Sequence, residues 1–128
     1  MGTLYQKHFI PLESNPDVFN NLIHLLGSTD DLSFQDVISL DEPSLLPRPA
    51  IAMILVFPTT DRYAEHIAIE DSKLDEPNYN NNDEDIVWFK QLINNACGLY
   101  GVLHALCNGC ARTMHRRPQS CVFAMFWS

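Results

Sequence analysis

Apolar residues fall in clusters along the chain, and their spacing predicts the elements. Val18, Leu22, Leu25 and Leu26 recur at helical spacing, with Phe19 and Ile23 beside them. That stripe predicts an amphipathic helix over 16–26. Ser14 or Asn15 offers its N-cap, Pro16 suits the first position and Asp17 the first turn, and Gly27 suits its end. Residues 34–40 are short and β-prone. Pro43, Pro47 and Pro49 punctuate a loop. Residues 50–57 are apolar throughout, which predicts a central strand buried on both faces and ended by Pro58. Residues 61–70 suit a helix. Residues 86–93 are apolar again, and 96–106 read as a helix behind two cap-type residues, Asn94 and Asn95. Gly98 and Gly101 each cost that helix roughly 1 kcal/mol relative to Ala. Their presence implies close packing, or room beside a reactive group.

Two stretches resist this reading. Residues 75–85 combine asparagines, acids and Pro77, the composition of a solvent loop or a disordered insert. From Cys107 onward there are no acids, three arginines appear, and the chain runs into the apolar stretch 121–127. No period or cap signal organises that tail. An apolar end of this kind is an awkward surface unless it folds back onto something.

At 128 residues and 46% apolar content, the chain suits one globular domain with a modest core. Its longest apolar run, 50–57, is too short to span a membrane. The opening residues lack the pattern of a secretory signal. Four cysteines in that setting imply a reducing compartment, the cytoplasm, where thiols are catalytic, metal-bound or simply buried. The net charge is −8, and all sixteen acids lie between Glu13 and Asp85. Such a body repels nucleic-acid phosphates and suits a basic protein or peptide partner. It suits equally well a solvated surface kept for solubility.

Candidate chemistry centres on Cys97. A cysteine behind two asparagines sits in the first turn of the predicted helix, where backbone N–H groups and the helix dipole favour the attacking thiolate form. The Cys97 N–H could face the oxyanion of a tetrahedral intermediate, and the Gln91 side-chain amide could supply a second donor. Spacing alone leaves the alternative open that Cys97 is a small buried hydrophobe.

The stretch Lys90-Gln-Leu-Ile-Asn-Asn-Ala-Cys-Gly98, continuing into Gly101-Val-Leu-His-Ala105, resembles the nucleophile motif of the ubiquitin C-terminal hydrolases, a papain-like cysteine peptidase family. Pro11, Leu12, Glu13, Ser14, Asn15 and Pro16 resemble that family's ubiquitin-contacting segment. Leu46-Pro-Arg-Pro49 and the apolar run after it resemble its proline-arginine-proline turn and central strand. The similarity covers residues 6–108 in order. It implies an α/β (α+β) papain-like fold, an antiparallel central sheet flanked by helices, of which this chain holds the N-terminal part. Residues 6–108 would be a partial catalytic domain and 109–128 a divergent tail of unknown structure. The resemblance further implies a deubiquitinating thiol hydrolase that cleaves at the C-terminal glycine of ubiquitin. In it Cys97 is the nucleophile and Gln91 the oxyanion donor, ubiquitin is the partner, and the protein is a cytoplasmic monomer with no cofactor, nucleic acid or membrane.

The departures matter as much. The family's general base is a histidine well after the nucleophile helix, oriented by a later aspartate. No acid follows Asp85, and the only later histidines are His104 and His115. His104 lies seven residues along the same helix, about 10 Å from the thiol, whereas a base works within about 3 Å. It matches a family position that packs rather than reacts. His115 matches nothing, and His8, His24 and His66 read as surface or core residues. The chain is therefore expected to stop short of the triad histidine, of its aspartate, and of the loop that filters substrates by size. A catalytically inactive ubiquitin-binding fragment, or a chain that does not fold stably, are the alternatives.

Cys107, Cys110, His115 and Cys121 come within one residue of zinc-knuckle spacing, and four such ligands could close a tetrahedral site. The last gap is one residue too long and no glycine precedes His115. Unpaired thiols in an unstructured tail are the competing reading.

Overall fold

A computed structural model describes residues 7–74, 86–116 and 121–127, without the side chains of 113–116, 121 and 127. The insert 75–85 lies outside the described residues. The chain order is β1 (Lys7–His8), α1 (Pro16–Leu25), β2 (Leu32–Asp36), a 3-10 turn (Pro43–Leu45), β3 (Ala50–Val56), α2 (Asp61–Asp71), β4 (Ile93–Asn94), α3 (Cys97–Cys107), a 3-10 stretch (Gly109–Arg116) and β5 (Cys121–Trp127). The expected mixed α/β class is what the structure shows.

The first helix forms for the reasons its sequence gives. Asn15 accepts the Asp17 N–H at 2.9 Å, Pro16 takes the first helical position, and Phe19 and Ile23 are buried. Gly27, at φ 88°, adopts the left-handed conformation that ends the helix. Its N–H donates to the His24 carbonyl and that of Ser28 to the Ile23 carbonyl, a Schellman closure.

The sheet departs from expectation in three ways. Its order is β2-β5-β3, so the tail strand is central and β3 is an edge. One face of β3 is also uncovered: Met53 and Leu55 are 59% and 52% exposed, while Ile54 and Val56 pack on the core. Both pairings of β5 are parallel, as is the small β1-β4 pair, so the antiparallel expectation is corrected. The physical reason is connectivity. Parallel neighbours need long crossovers rather than hairpin turns, and β5 follows β2 and β3 only after 37–120 and 57–120. Finally, the β-prone stretch forms earlier than expected, at Leu32–Asp36.

The tail is organised by what it buries. Val122, Phe123, Ala124 and Met125 are all buried. The Phe123 ring lies 4.7 Å from that of Phe34, which meets Phe19 edge-on at 5.2 Å. Ile23, Leu32, Val102 and Ala111 complete this core. The outer edge of β2 is closed from α1: the Phe34 N–H donates to Asn20 Oδ1 at 2.6 Å, and Asn20 Nδ2 donates to the Phe34 carbonyl at 3.2 Å. A side-chain amide there takes the place of a further strand. Helix α2, by contrast, has no buried residue.

Truncating Phe123 to alanine is expected to cost about 3–5 kcal/mol, read as a lower urea midpoint. Met53→Thr, on the exposed side of β3, is expected to stay within about 0.5 kcal/mol. Equal effects from the two substitutions would contradict the placement of β5.

Candidate functional site

Cys97 is the first residue of α3, exposed and free of any disulfide. Ala96 is the N-cap and offers no side-chain cap. Neither asparagine caps the helix as the sequence suggested. Asn95 takes the left-handed conformation, φ 59°, and turns the chain into α3. Asn94 pairs its side chain with His8 Nδ1 at 2.9 Å. The helix start beside the thiol is thus left without a side-chain oxygen bound to its first N–H groups, which remain available donors.

Three segments meet here. The opening residues pair with the chain just before Cys97: β1 lies alongside β4, and the Phe9 N–H donates to the Asn94 carbonyl at 2.9 Å. Leu12 then packs on the helix start. A Cβ on Gly98 would stand 3.1 Å from the Leu12 Cβ. Gly101 faces the sheet, where a Cβ would sit 3.8 Å from the Ile54 Cδ1. Gly98 serves the close packing that its presence in a helix implied, whereas Gly101 has room for a methyl group in ordinary contact.

Gln91 lies in the extended stretch before β4, half-buried, and its Nε2 donates to the Ile93 carbonyl at 2.9 Å. An amide nitrogen carries two N–H groups, so one remains for another acceptor. Pro11 and Glu13 are exposed, while Leu12, Ser14, Asn15 and Pro16 are half-buried. Asn15 and Pro16 are occupied in starting α1.

The stretch 86–92 is fastened along α3. The Val87 N–H donates to Asn108 Oδ1 at 2.7 Å, and Asn108 Nδ2 donates to the Val87 and His104 carbonyls at 2.8 and 2.9 Å. The Phe89 N–H donates to His104 Nε2 at 2.9 Å, and the Leu92 N–H to the Tyr100 hydroxyl at 3.4 Å. The His104 ring stacks with Trp88 at 4.6 Å and with Phe89 at 5.6 Å. The packing role expected of His104 is the one seen. Sequence reasoning missed Tyr100 and Asn108. Their signal was polar side chains at i, i+4 and i+8 around His104 in an otherwise apolar helix.

Cys107 ends α3, and Cys110 follows in the 3-10 stretch. Among the described residues no three histidines, cysteines or acids gather as metal ligands. The side chains of His115 and Cys121 lie outside that description. An open apolar depression of about 620 Å³ lies elsewhere, between β3 and the 46–49 turn, and neither Cys97 nor Gln91 lines it. No helix among the described residues is long and apolar enough to cross a membrane.

Cys97 thus stands exposed at the uncapped start of a helix that lies on the sheet through Gly101. Residues 9–126 match the family described as ubiquitin carboxyl-terminal hydrolase, family 1, and the chain belongs to that family. The match runs past Asn108 to include most of β5. The chain is 42% identical over 102 residues to ubiquitin carboxyl-terminal hydrolase YUH1 of Saccharomyces cerevisiae, covering 77% of this chain and 39% of the yeast protein. It is 39% identical over 100 residues to a ubiquitin carboxyl-terminal hydrolase of Drosophila melanogaster, covering 77% and 44%. It is 35% identical over 100 residues to the human isozyme L1, again covering 77% and 44%. The chain thus spans less than half the length of these relatives. No solved structure matches it significantly.

The two glycines should respond differently to added methyl groups. Gly101→Ala gains helix propensity with an ordinary contact and should raise stability by about 0.5–1 kcal/mol. Gly98→Ala must push Leu12 away and should gain nothing or lose. Thermal melts of the two variants check this; an equal gain from both would contradict the packing of Leu12 on α3.

Proposed function

We propose that this chain is the nucleophile-bearing part of a thiol hydrolase that cleaves at the C-terminal glycine of ubiquitin. The observation that carries the reading is the exposed Cys97 at the uncapped start of α3. Membership of a family described as ubiquitin carboxyl-terminal hydrolase supports ubiquitin as the substrate class.

The residues present suit the first half of the reaction. The Cys97 thiolate attacks the carbonyl carbon of the terminal glycine. The S–C bond forms, and the carbonyl π electrons move onto oxygen. The Cys97 N–H and the second Gln91 N–H hold that oxyanion. Collapse expels the adduct's amine or alcohol, which must receive a proton. His104 is not placed to supply it: it lies seven residues along α3, about 10 Å from Cys97, with its Nε2 accepting the Phe89 N–H. The exposed Pro11 and Glu13 offer contacts to ubiquitin. Leu12 ties that contact segment to Gly98, beside the nucleophile. In this reading residues 6–108 form the nucleophile-bearing part of the catalytic domain, and β5, from the 109–128 segment, fills the middle of its sheet. The protein acts as a monomer in the cytoplasm, without a cofactor.

The second reading is a ubiquitin-binding chain without turnover. The engagement of His104 favours it, since a nucleophile without its base typically loses orders of magnitude in rate.

A ubiquitin carrying a C-terminal thiol trap separates the two. Covalent capture that is lost in Cys97→Ala supports the hydrolase reading. Gln91→Ala should slow capture about 100-fold or more. Saturable binding of ubiquitin with no capture would favour the second reading, and neither binding nor capture would sink both.

A further inference from the structure

Helix α3 is apolar except for its thiols, Tyr100 and His104, and it ends on Asn108. These three side chains are spaced four residues apart, so one helix face presents them about 6 Å apart. Two residues of extended chain cover about 6.6 Å. A chain running antiparallel to the helix can therefore meet a rung at every second residue. The Asn108 and His104 rungs meet Val87 and Phe89, two residues apart, at 2.7 and 2.9 Å. The third rung reaches Leu92 after three residues, and its contact is longer, 3.4 Å. Beyond it the chain enters β4, held by β1, and turns at Asn95 into Cys97.

Gln91 lies between the Phe89 and Leu92 rungs. The nucleophile and the rungs belong to the same rigid helix. We propose that Tyr100, His104 and Asn108 are positioning residues, which fix the Gln91 amide relative to Cys97 by fastening 87–92 along α3. This rests on the hydrolase reading above, in which Gln91 is an oxyanion donor. His104 is the central rung. It can accept the Phe89 N–H only with Nε2 unprotonated, and its stacking on Trp88 and Phe89 fixes the ring plane.

The test uses the full chain and a ubiquitin ending in a C-terminal aldehyde. The Cys97 sulfur adds to the aldehyde carbon, and the carbonyl oxygen takes the charge and then a proton, so adduct affinity reads the oxyanion donors. Iodoacetamide alkylation of Cys97, a displacement with no oxyanion, serves as the control. His104→Leu should weaken the adduct about tenfold, leave alkylation unchanged and speed amide exchange at Phe89. His104→Gln places an acceptor where Nε2 was and should restore most of the affinity. In a Gln91→Ala background, His104→Leu should have no further effect. Should His104→Leu fail to fold, Tyr100→Phe removes one hydroxyl, keeps the ring and should weaken the adduct two- to threefold, by about half a neutral hydrogen bond's worth.

An adduct unchanged by these variants would overturn the positioning role alone. So would an equal loss with and without Gln91, or a parallel loss of alkylation. A wild-type chain that alkylates but forms no adduct would overturn the hydrolase reading itself.

Discussion

The structure hangs on one insertion, that of β5 between β2 and β3. The two outer strands share no hydrogen bonds with each other and meet only through β5. Phe123 carries much of the consequence. Its ring is fully buried against Phe34, and full burial of such a side chain is worth about 1.5–3 kcal/mol. Phe34 in turn receives Phe19 from α1, and Val102 of α3 joins the same core. The helix that carries Cys97 is therefore seated on a sheet whose middle strand comes from the far end of the chain.

From that seat the site is built by local devices. Close approach at Gly98 lets Leu12 lie on the start of α3, and the helix rests on Ile54 beside Gly101. The β1-β4 pair ties the opening residues to the chain just before Cys97. The polar face of α3 fastens 87–92. Each device acts on a different backbone segment, and all end within a few residues of Cys97. The exposed Cys97 thiol is thereby held on a fixed frame by buried neighbours such as Ala96 and Val102.

Local chemistry was legible in the sequence and pairing was not. Asn15, Pro16 and Gly27 bounded α1 because caps and stops act within a turn of the residue that carries them. The start of α3 at Cys97 fell within a residue of its expected place, and Gly98 announced close packing. The site's two candidate donors were recognisable from Gln91 and from the helix start. The sheet was not readable, because strand order and direction are set by contacts between distant segments. A continuous apolar run such as 50–57 looks the same whether it forms a centre or an edge. The tail gave no cap or period because a short strand buried on both faces needs neither. Asn94 and Asn95 misled for a related reason. Their residue type suits caps, left-handed turns and side-chain pairing alike, and the neighbouring β1 strand decided among them.

Amide hydrogen exchange along the intact chain tests the insertion of β5 most directly. A central strand has bonded neighbours on both sides: the Val122 N–H donates to the Pro49 carbonyl at 3.0 Å, and the Met125 carbonyl accepts the Val37 N–H at 2.7 Å. Amides 122–126 should exchange as slowly as those of Phe19 and Ile23 in α1, opening only with global unfolding. Exchange at 122–126 as fast as in the exposed helix α2, with α1 still protected, would show that the tail does not hold the sheet together.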